Sequence, residues 1–154
     1  MLYYVSSNDL IYFIYQNMSR PYTKLKARKI FGYHMILDLY GCDPKALDSM
    51  AVCYNYLNDM ADLIKVHKQS APLVVYTDPI KYPDKAGISG WLPIVESGFS
   101  IHTLTLAKFA SIDIYSCKKY DSKKVRDFTI KIFKPKDVEE KHFLRGEKYI
   151  HPGR

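Results

Sequence analysis

The segment from residue 43 to residue 66 constrains the fold most, because it combines a helix start with a long helical period of apolar residues. Asp43 can cap the first turn with its side chain, and Pro44 suits the first helical position, where a backbone N–H is not needed. Apolar residues then recur at three- and four-residue steps, namely Leu47, Met50, Tyr54, Leu57, Met60, Ala61 and Ile64. The pattern predicts one amphipathic helix, which must bury its apolar side against a second layer.

Strand-like runs surround this helix and supply the second layer. Two-residue alternation predicts strands at 30–40, 88–95, 99–105, 110–117 and 142–150, and a short buried strand at 73–77. The prolines and aspartates of 78–87 predict a loop, and capping residues at 121–122 together with Pro135 bound a second helix. This order favours an α+β fold, an antiparallel β-sheet with its helices packed on one face.

The chain has 154 residues, 47% of them apolar, which suits one globular domain. Near its start, SNDLIYFIYQNMSR places capping residues before an apolar run and predicts a short helix. No apolar run reaches the length of a membrane span, and the first residues lack the features of a secretory signal. We therefore expect a soluble protein without a membrane partner.

The three cysteines, Cys42, Cys53 and Cys117, follow neither CxxC nor paired Cys/His spacing. This argues against a disulfide framework and a structural zinc site, so we expect no metal and a reducing, cytoplasmic location. The net charge of +7 comes from the two ends, since residues 31–117 carry 6 basic and 9 acidic residues. Solvated charge is the favoured interpretation of those ends and no nucleic-acid partner is expected, although the 14 tyrosines leave weak RNA binding open.

Polar residues that could do chemistry gather around VESGFSIHT, residues 95–103. Alternation puts Ser100 and His102 on the same strand face, and Asp113 and Cys117 share a face of the next strand. A hydroxyl, an imidazole and a thiol near Glu96-Ser97 would supply a nucleophile, a general base and a proton donor. Taken singly, a Ser-Gly step is more often a turn, a strand histidine more often structural, and a buried cysteine more often a small hydrophobe.

Four segments together resemble the motifs of the small prokaryotic-type S-adenosylmethionine decarboxylases, which are made as proenzymes. They are FGYHMILDLYGCD (31–43), PDKAGISGW (83–91), IVESGFSIHT (94–103) and IDIYSCKKYD (112–121). The resemblance implies an S-adenosylmethionine decarboxylase-like domain at 31–154, and leaves 1–30 as an N-terminal extension of unknown role. It also implies a homodimer that joins two sheets into an α/β/β/α sandwich.

In that family the chain cuts itself between the Glu and the Ser of the ES motif, here Glu96 and Ser97. The resemblance implies fragments of 96 and 58 residues, with Ser97 converted to a pyruvoyl group and His102 as the processing histidine. The pyruvoyl carbonyl would be the cofactor, an electron sink that forms a Schiff base with the substrate amine during decarboxylation. The implied product is decarboxylated S-adenosylmethionine, the aminopropyl donor of spermidine and other polyamine synthesis.

The other site residues follow by position. Cys117 matches the family's proton donor and Ser89 the serine that assists processing, while Tyr82 lies near the aromatic that stacks on adenine and Glu96 is a second predicted substrate contact. Two positions depart from the common family form, ESHxxIHTWPE. Gly98 replaces a histidine, and Leu106 stands where a ribose-binding glutamate is expected.

These departures leave two alternatives open. One is a pyruvoyl-dependent arginine or ornithine decarboxylase on the same fold. The other is a non-catalytic relative that binds a small ligand.

Overall fold

A computed structural model describes residues 26–27 and 30–151 of the chain. The strands in chain order are β1 (Lys26–Ala27), β2 (Gly32–Tyr40), β3 (Leu73–Thr77), β4 (Gly87–Ile94), β5 (Ser97–Leu104), β6 (Phe109–Ser116), β7 (Asp137–Arg145) and β8 (Ile150–His151). The helices are α1 (Pro44–Leu47), α2 (Met50–Leu63) and α3 (Ser122–Phe133), with a 3₁₀ turn at Pro83–Lys85. The short helix predicted within residues 7–20 lies outside the described residues.

Six of the strands form one antiparallel sheet in the order β3-β4-β5-β6-β2-β7, and β1 pairs with β8 in a separate two-stranded sheet. Burial alternates along the central strands, because one face of the sheet packs on the helices. The fully buried residues of β2 are Met35, Leu37 and Leu39. The predicted α+β fold is confirmed.

The helices cover one face of the sheet as a single layer. Cys53, Tyr56, Leu57 and Met60 of α2 and Val125 and Phe133 of α3 belong to the same buried cluster as the strand residues. The Tyr56 hydroxyl lies 2.9 Å from Thr129 Oγ1, which satisfies two buried polar groups where the helices meet. The opposite sheet face, which carries Ser89, His102 and Asp113, bears no helix of the described chain.

The prediction of one continuous helix from residue 44 to residue 66 was wrong. The chain forms two helices separated at Asp48 and Ser49, because the Ser49 hydroxyl accepts a hydrogen bond from Val52 N at 3.3 Å and starts a new helix there. The first cap is as predicted, since the Asp43 side chain accepts from Lys45 N at 3.0 Å.

Two strand predictions also need correction. The strand at 73–77 is not buried, because β3 is an edge strand and Leu73 is 59% exposed. The last strand of the main sheet begins at Asp137 rather than at residue 142, since the chain turns back directly after α3 and Lys136 N donates to Tyr40 O at 2.8 Å. For the remaining predicted strands, the first and last residues lie within two positions of the observed bounds.

Candidate active site

The β4–β5 hairpin carries most of the predicted site residues. Its strands are joined by a two-residue turn, Val95-Glu96, so that Ile94 pairs with Ser97 and, further along, Ser89 pairs with His102. We call the part of the hairpin next to Val95-Glu96 the turn end and the part next to Ser89 and His102 the far end.

At the turn end the predicted scissile peptide is strained and held. Ser97 has a φ of 140°, a region that residues with a side chain rarely occupy. The carbonyl oxygen of Glu96 accepts a hydrogen bond from the backbone N–H of Cys117 at 2.8 Å. The bond places Cys117, which follows β6, beside the Glu96-Ser97 peptide.

The Glu96 side chain is held by a residue that no sequence motif indicates. His67 donates to its carboxylate twice, from Nδ1 to Oε1 at 2.8 Å and from the backbone N–H to Oε2 at 3.0 Å. Burial of the carboxyl raises its pKa, but the hydrogen bonds from His67 outweigh that effect and lower the pKa of Glu96 below its ordinary value. Glu96 is therefore ionised at neutral pH.

At the far end the Ser89 hydroxyl is hydrogen-bonded to His102 Nδ1 at 2.9 Å. Both residues are half-buried and lie on the sheet face opposite the helices that the structure describes. The hydroxyl can fix the orientation and tautomer of the imidazole, which leaves Nε2 as the nitrogen available for proton transfer.

The predicted residues thus fall into two groups. Glu96, Ser97 and Cys117 lie at the turn end, while Ser89 and His102 lie at the far end. Five residues of extended strand span about 16 Å, so His102 cannot reach Ser97 of its own chain.

Tyr82 and Leu106 lie outside both groups of contacts but belong to loops near the far end. Tyr82 is 47% exposed and precedes the 3₁₀ turn. Leu106 is 77% exposed in the turn between β5 and β6, and Thr105 N of that turn donates to Ala86 O, just before β4, at 3.0 Å. No hydrogen bond within the described residues ties Tyr82 to Ser89 or His102.

The sheet face opposite the described helices, here called the open sheet face, carries a polar network. Only part of this network could be predicted from the sequence. Asp113 accepts from Ser100 Oγ at 3.2 Å, as expected from the pairing of β5 and β6, and also from His34 Nε2 at 2.9 Å. Alternation along β2 puts His34 on this face, and the strand order, which sets β2 beside β6, brings it to Asp113. These residues line a shallow depression of about 580 Å³ together with Trp91, Leu92, Pro93, Gly98, Phe99 and Tyr115.

The three cysteines differ in environment. Burial raises the pKa of Cys42 to about 11 and that of Cys53 to about 12, so both thiols stay protonated in the core. Cys117 is half-buried and is the cysteine beside the turn. The part of the chain that the structure describes has no group of three or more His, Cys, Asp and Glu side chains placed to hold a metal ion.

Among the helices of the described residues, none is both long and apolar enough to cross a membrane.

Comparison with known proteins gives consistent results. The family model described as S-adenosylmethionine decarboxylase matches residues 33–146. The S-adenosylmethionine decarboxylase proenzyme 2 of Bacillus cereus is 33% identical over 117 residues, which cover 75% of this chain and 89% of that protein. The S-adenosylmethionine decarboxylase proenzyme of a Sulfurihydrogenibium species is 30% identical over 125 residues, with coverages of 80% and 89%.

A solved structure has the same fold. The crystal structure of the adenosylmethionine decarboxylase from Aquifex aeolicus superposes with a TM-score of 0.67 at 25% identity, covering 77% of this chain and 93% of that one.

Proposed function

The chain belongs to the S-adenosylmethionine decarboxylase family, and from that premise we propose that it is a self-cleaving proenzyme that decarboxylates S-adenosylmethionine for polyamine synthesis. The observation that supports self-cleavage best is the Glu96-Ser97 peptide, where a strained Ser97 follows a carbonyl that already accepts a hydrogen bond. Relief of the strain would favour breaking that peptide over any relaxed one.

The first step uses the residues of the turn end. Ser97 Oγ attacks the carbonyl carbon of Glu96, and negative charge develops on the oxygen that the Cys117 N–H contacts at 2.8 Å. The peptide C–N bond then breaks as the Ser97 hydroxyl proton passes to the departing nitrogen, so that an ester joins Glu96 to Ser97 Oγ and the Ser97 amine is free. The Cys117 N–H stabilises the charge because it is in place before the reaction starts.

The second step needs a base at the Ser97 α-carbon. His102 takes that proton, the ester C–O bond breaks, and Glu96 leaves as a free carboxylate on the first fragment. The dehydroalanine left at Ser97 tautomerises, and water replaces its nitrogen as ammonia departs. The products are fragments of 96 and 58 residues, the second beginning with a pyruvoyl group.

The approximately 16 Å between His102 and Ser97 of one chain supports a homodimer that shares its sites. In such a dimer the two open sheet faces would stack on each other, related by a two-fold axis perpendicular to the strands. This axis would set the far end of one chain over the turn end of the other. Ser89 and His102 would then serve the partner's Ser97. The depression around Trp91 and Tyr115, which no helix of the described residues covers, is a suitable surface for such stacking.

The turn end also suits the decarboxylation step. A pyruvoyl group at Ser97, held beside Cys117, would supply a carbonyl able to condense with the substrate amine and to accept the electrons left when CO₂ departs. Cys117 would then donate a proton to the substrate α-carbon and Glu96 would contact the substrate, while Tyr82 would come from the other chain of the dimer together with its far end. Decarboxylation of arginine or ornithine and a non-catalytic role are not favoured, since the relatives are named S-adenosylmethionine decarboxylase proenzymes.

Intact-mass spectrometry of the purified protein tests self-cleavage. We expect two fragments that meet at Glu96 and Ser97, with the mass of a pyruvoyl group on the second. A chain that stays uncut under native conditions would refute the proenzyme assignment. Release of CO₂ should be faster from S-adenosylmethionine than from arginine or ornithine, and the reverse order would change the substrate.

Mixed dimers test the shared site. Ser97→Ala and His102→Ala chains should each fail to process alone. When the two are co-expressed with different tags, the His102→Ala chain should be cut, because its Ser97 meets the His102 of the other chain. Absence of cutting in isolated mixed dimers would exclude a shared site.

A further inference from the structure

We propose that His67 is a positioning residue for self-cleavage, which holds the Val95-Glu96 turn so that Ser97 stays in its strained conformation. The inference rests on the proposed self-cleavage at Glu96-Ser97. It assigns a role to a residue in the segment between α2 and β3, which is separated from Glu96 by 29 positions along the chain.

His67 contacts both residues of the turn. Besides the two hydrogen bonds that it donates to the Glu96 carboxylate, its carbonyl oxygen accepts from Val95 N at 2.8 Å. Ring and backbone therefore act on adjacent turn residues. The Glu96 side chain is only 13% exposed, while the imidazole of His67 is 78% exposed.

The neighbours of His67 extend this contact into a clamp, which we define as residues 65–69. Lys68 forms an antiparallel bridge with Ile94, and Gln69 N donates to Pro93 O at 3.1 Å. The clamp thus follows the last residues of β4 up to the turn.

The clamp is itself anchored on two sides. Lys68 Nζ donates to Asn58 Oδ1 and to Asp62 Oδ2 of α2, each at 2.9 Å. On the other side Lys118 Nζ, next to Cys117, donates to Lys65 O. One short segment therefore ties the helix layer, the turn and the Cys117 strand end together.

Such an arrangement explains how Ser97 can keep a φ of 140°. A strained backbone persists only when its surroundings over-determine it, and a two-residue turn has few contacts of its own. Because His67 holds the carboxylate of Glu96, it limits rotation of the residue whose carbonyl Ser97 must attack. Loss of the contact lets the turn relax and moves Ser97 Oγ away from that carbonyl.

The competing view is that His67 and Glu96 form an ordinary surface ion pair with little effect. The chain offers a matched control, because His142 Nε2 and Glu140 Oε1 form another exposed His–Glu pair at 2.6 Å on β7. That pair lies on a strand separated from β5 by β6 and β2. Under the competing view, His67→Ala and His142→Ala behave alike.

The experiment follows self-cleavage of freshly made proenzyme over time by intact mass, for the unchanged protein, His67→Ala, His67→Asn and His142→Ala. Misplacing reacting groups by about 1 Å can cost about 10²-fold in rate, so we expect His67→Ala to slow cleavage by at least about tenfold. His67→Asn should recover part of the rate, since its amide N–H can replace Nδ1–H. His142→Ala should match the unchanged protein.

Two readouts separate positioning from loss of stability. In a His102→Ala background, where the chain should stop at the ester, hydroxylamine cuts only esterified chains, and adding His67→Ala should lower that fraction. Once processed, the His67→Ala enzyme should keep its kcat within about twofold per pyruvoyl group. Cleavage of His67→Ala at the unchanged rate, or equal slowing by His142→Ala, would overturn the inference, whereas failure of the unchanged protein to cleave would overturn the proposed function itself.

Discussion

The two ends of the β4–β5 hairpin are built from similar residues but in opposite ways. The turn end holds Ser97 in strained backbone, with Glu96 bound by His67 and its carbonyl bound by Cys117 N–H. The far end holds Ser89 and His102 in regular strand, joined by one hydrogen bond. In the proposed mechanism, a strained bond that is to break needs many contacts, whereas a base needs only a fixed ring and access to its target. The proposed chemistry is thus divided between the turn end, which stores strain, and the far end, which moves protons.

Removal of the Ser97 hydroxyl tests the proposed role of the turn end most directly. Ser97→Ala should abolish self-cleavage, because no nucleophile remains at the strained peptide, and intact mass should show only the uncut chain. The exposed Ser70 provides the control, since Ser70→Ala should process normally. Ordinary processing of Ser97→Ala would place the chemistry elsewhere.

Cys117 distinguishes two functions of the turn end. Cys117→Ala keeps the backbone N–H that contacts the Glu96 carbonyl, so the chain should still cleave. Loss of the proton donor should lower the rate of decarboxylation by roughly 10²- to 10⁴-fold, the range typical of general acid catalysis. Turnover and product are measured on the processed protein, and unchanged values for both would contradict the assignment.

Two glycines, one at each end of the hairpin, should differ in how much their replacement lowers the free energy of unfolding. A Cβ on Gly87, at the far end, would lie 1.9 Å from Thr103 O, whereas a Cβ on Gly98, at the turn end, would meet Leu92 O at an ordinary 3.4 Å. We expect Gly87→Ala to lower the free energy of unfolding by about 3 kcal/mol and Gly98→Ala to change it by less than about 0.5 kcal/mol. Urea denaturation in the uncut Ser97→Ala background measures both, and equal effects would show that the backbone tolerates the Gly87 clash.

The smallest expected effect concerns Leu106, in the exposed turn near the far end. Leu106→Glu should fold and process normally, because its side chain reaches solvent. A carboxylate that accepts hydrogen bonds from the substrate ribose should lower the KM for S-adenosylmethionine about tenfold, as one charge-assisted hydrogen bond would. Initial-rate kinetics test this, with Leu106→Gln as the uncharged comparison, and a KM that does not fall would mean that the ribose is bound elsewhere.

Apolar alternation predicted most of the sheet, because one face of each central strand packs on helices and the other packs on no helix that the structure describes. The same signal failed at β7, where DVEEK has a single apolar residue and most side chains remain exposed. It also failed at Ser49, whose cap interrupts the helix without interrupting the apolar period. The start of β7 has no apolar alternation to detect, and the Ser49 cap leaves the apolar period of the helix unchanged, so a prediction from apolar pattern misses both.

For the candidate site, the family resemblance pointed to Ser89, Ser97, His102 and Cys117 but gave no distance between them, and their roles stay predictions. Ser97 and His102 are near in sequence, yet an extended strand separates them, and the homodimer that we propose to bring them together involves a second chain, which one sequence does not describe. His67 could not be predicted, because its contact with Glu96 arises from the path of a loop rather than from any repeat or motif.

The strand order has a consequence for the fate of the two fragments. The first fragment would contain β2, β3 and β4 and the second β5, β6 and β7, yet β2 lies between β6 and β7 in the sheet. The pieces are therefore interleaved, and they cannot part unless β2 leaves both of its neighbours. If a cut molecule unfolds, its two fragments must meet again by diffusion before they can refold. Its refolding would therefore depend on protein concentration, whereas refolding of the uncut chain would not. In the proposed self-cleavage the sheet would therefore assemble first, and the irreversible break would follow.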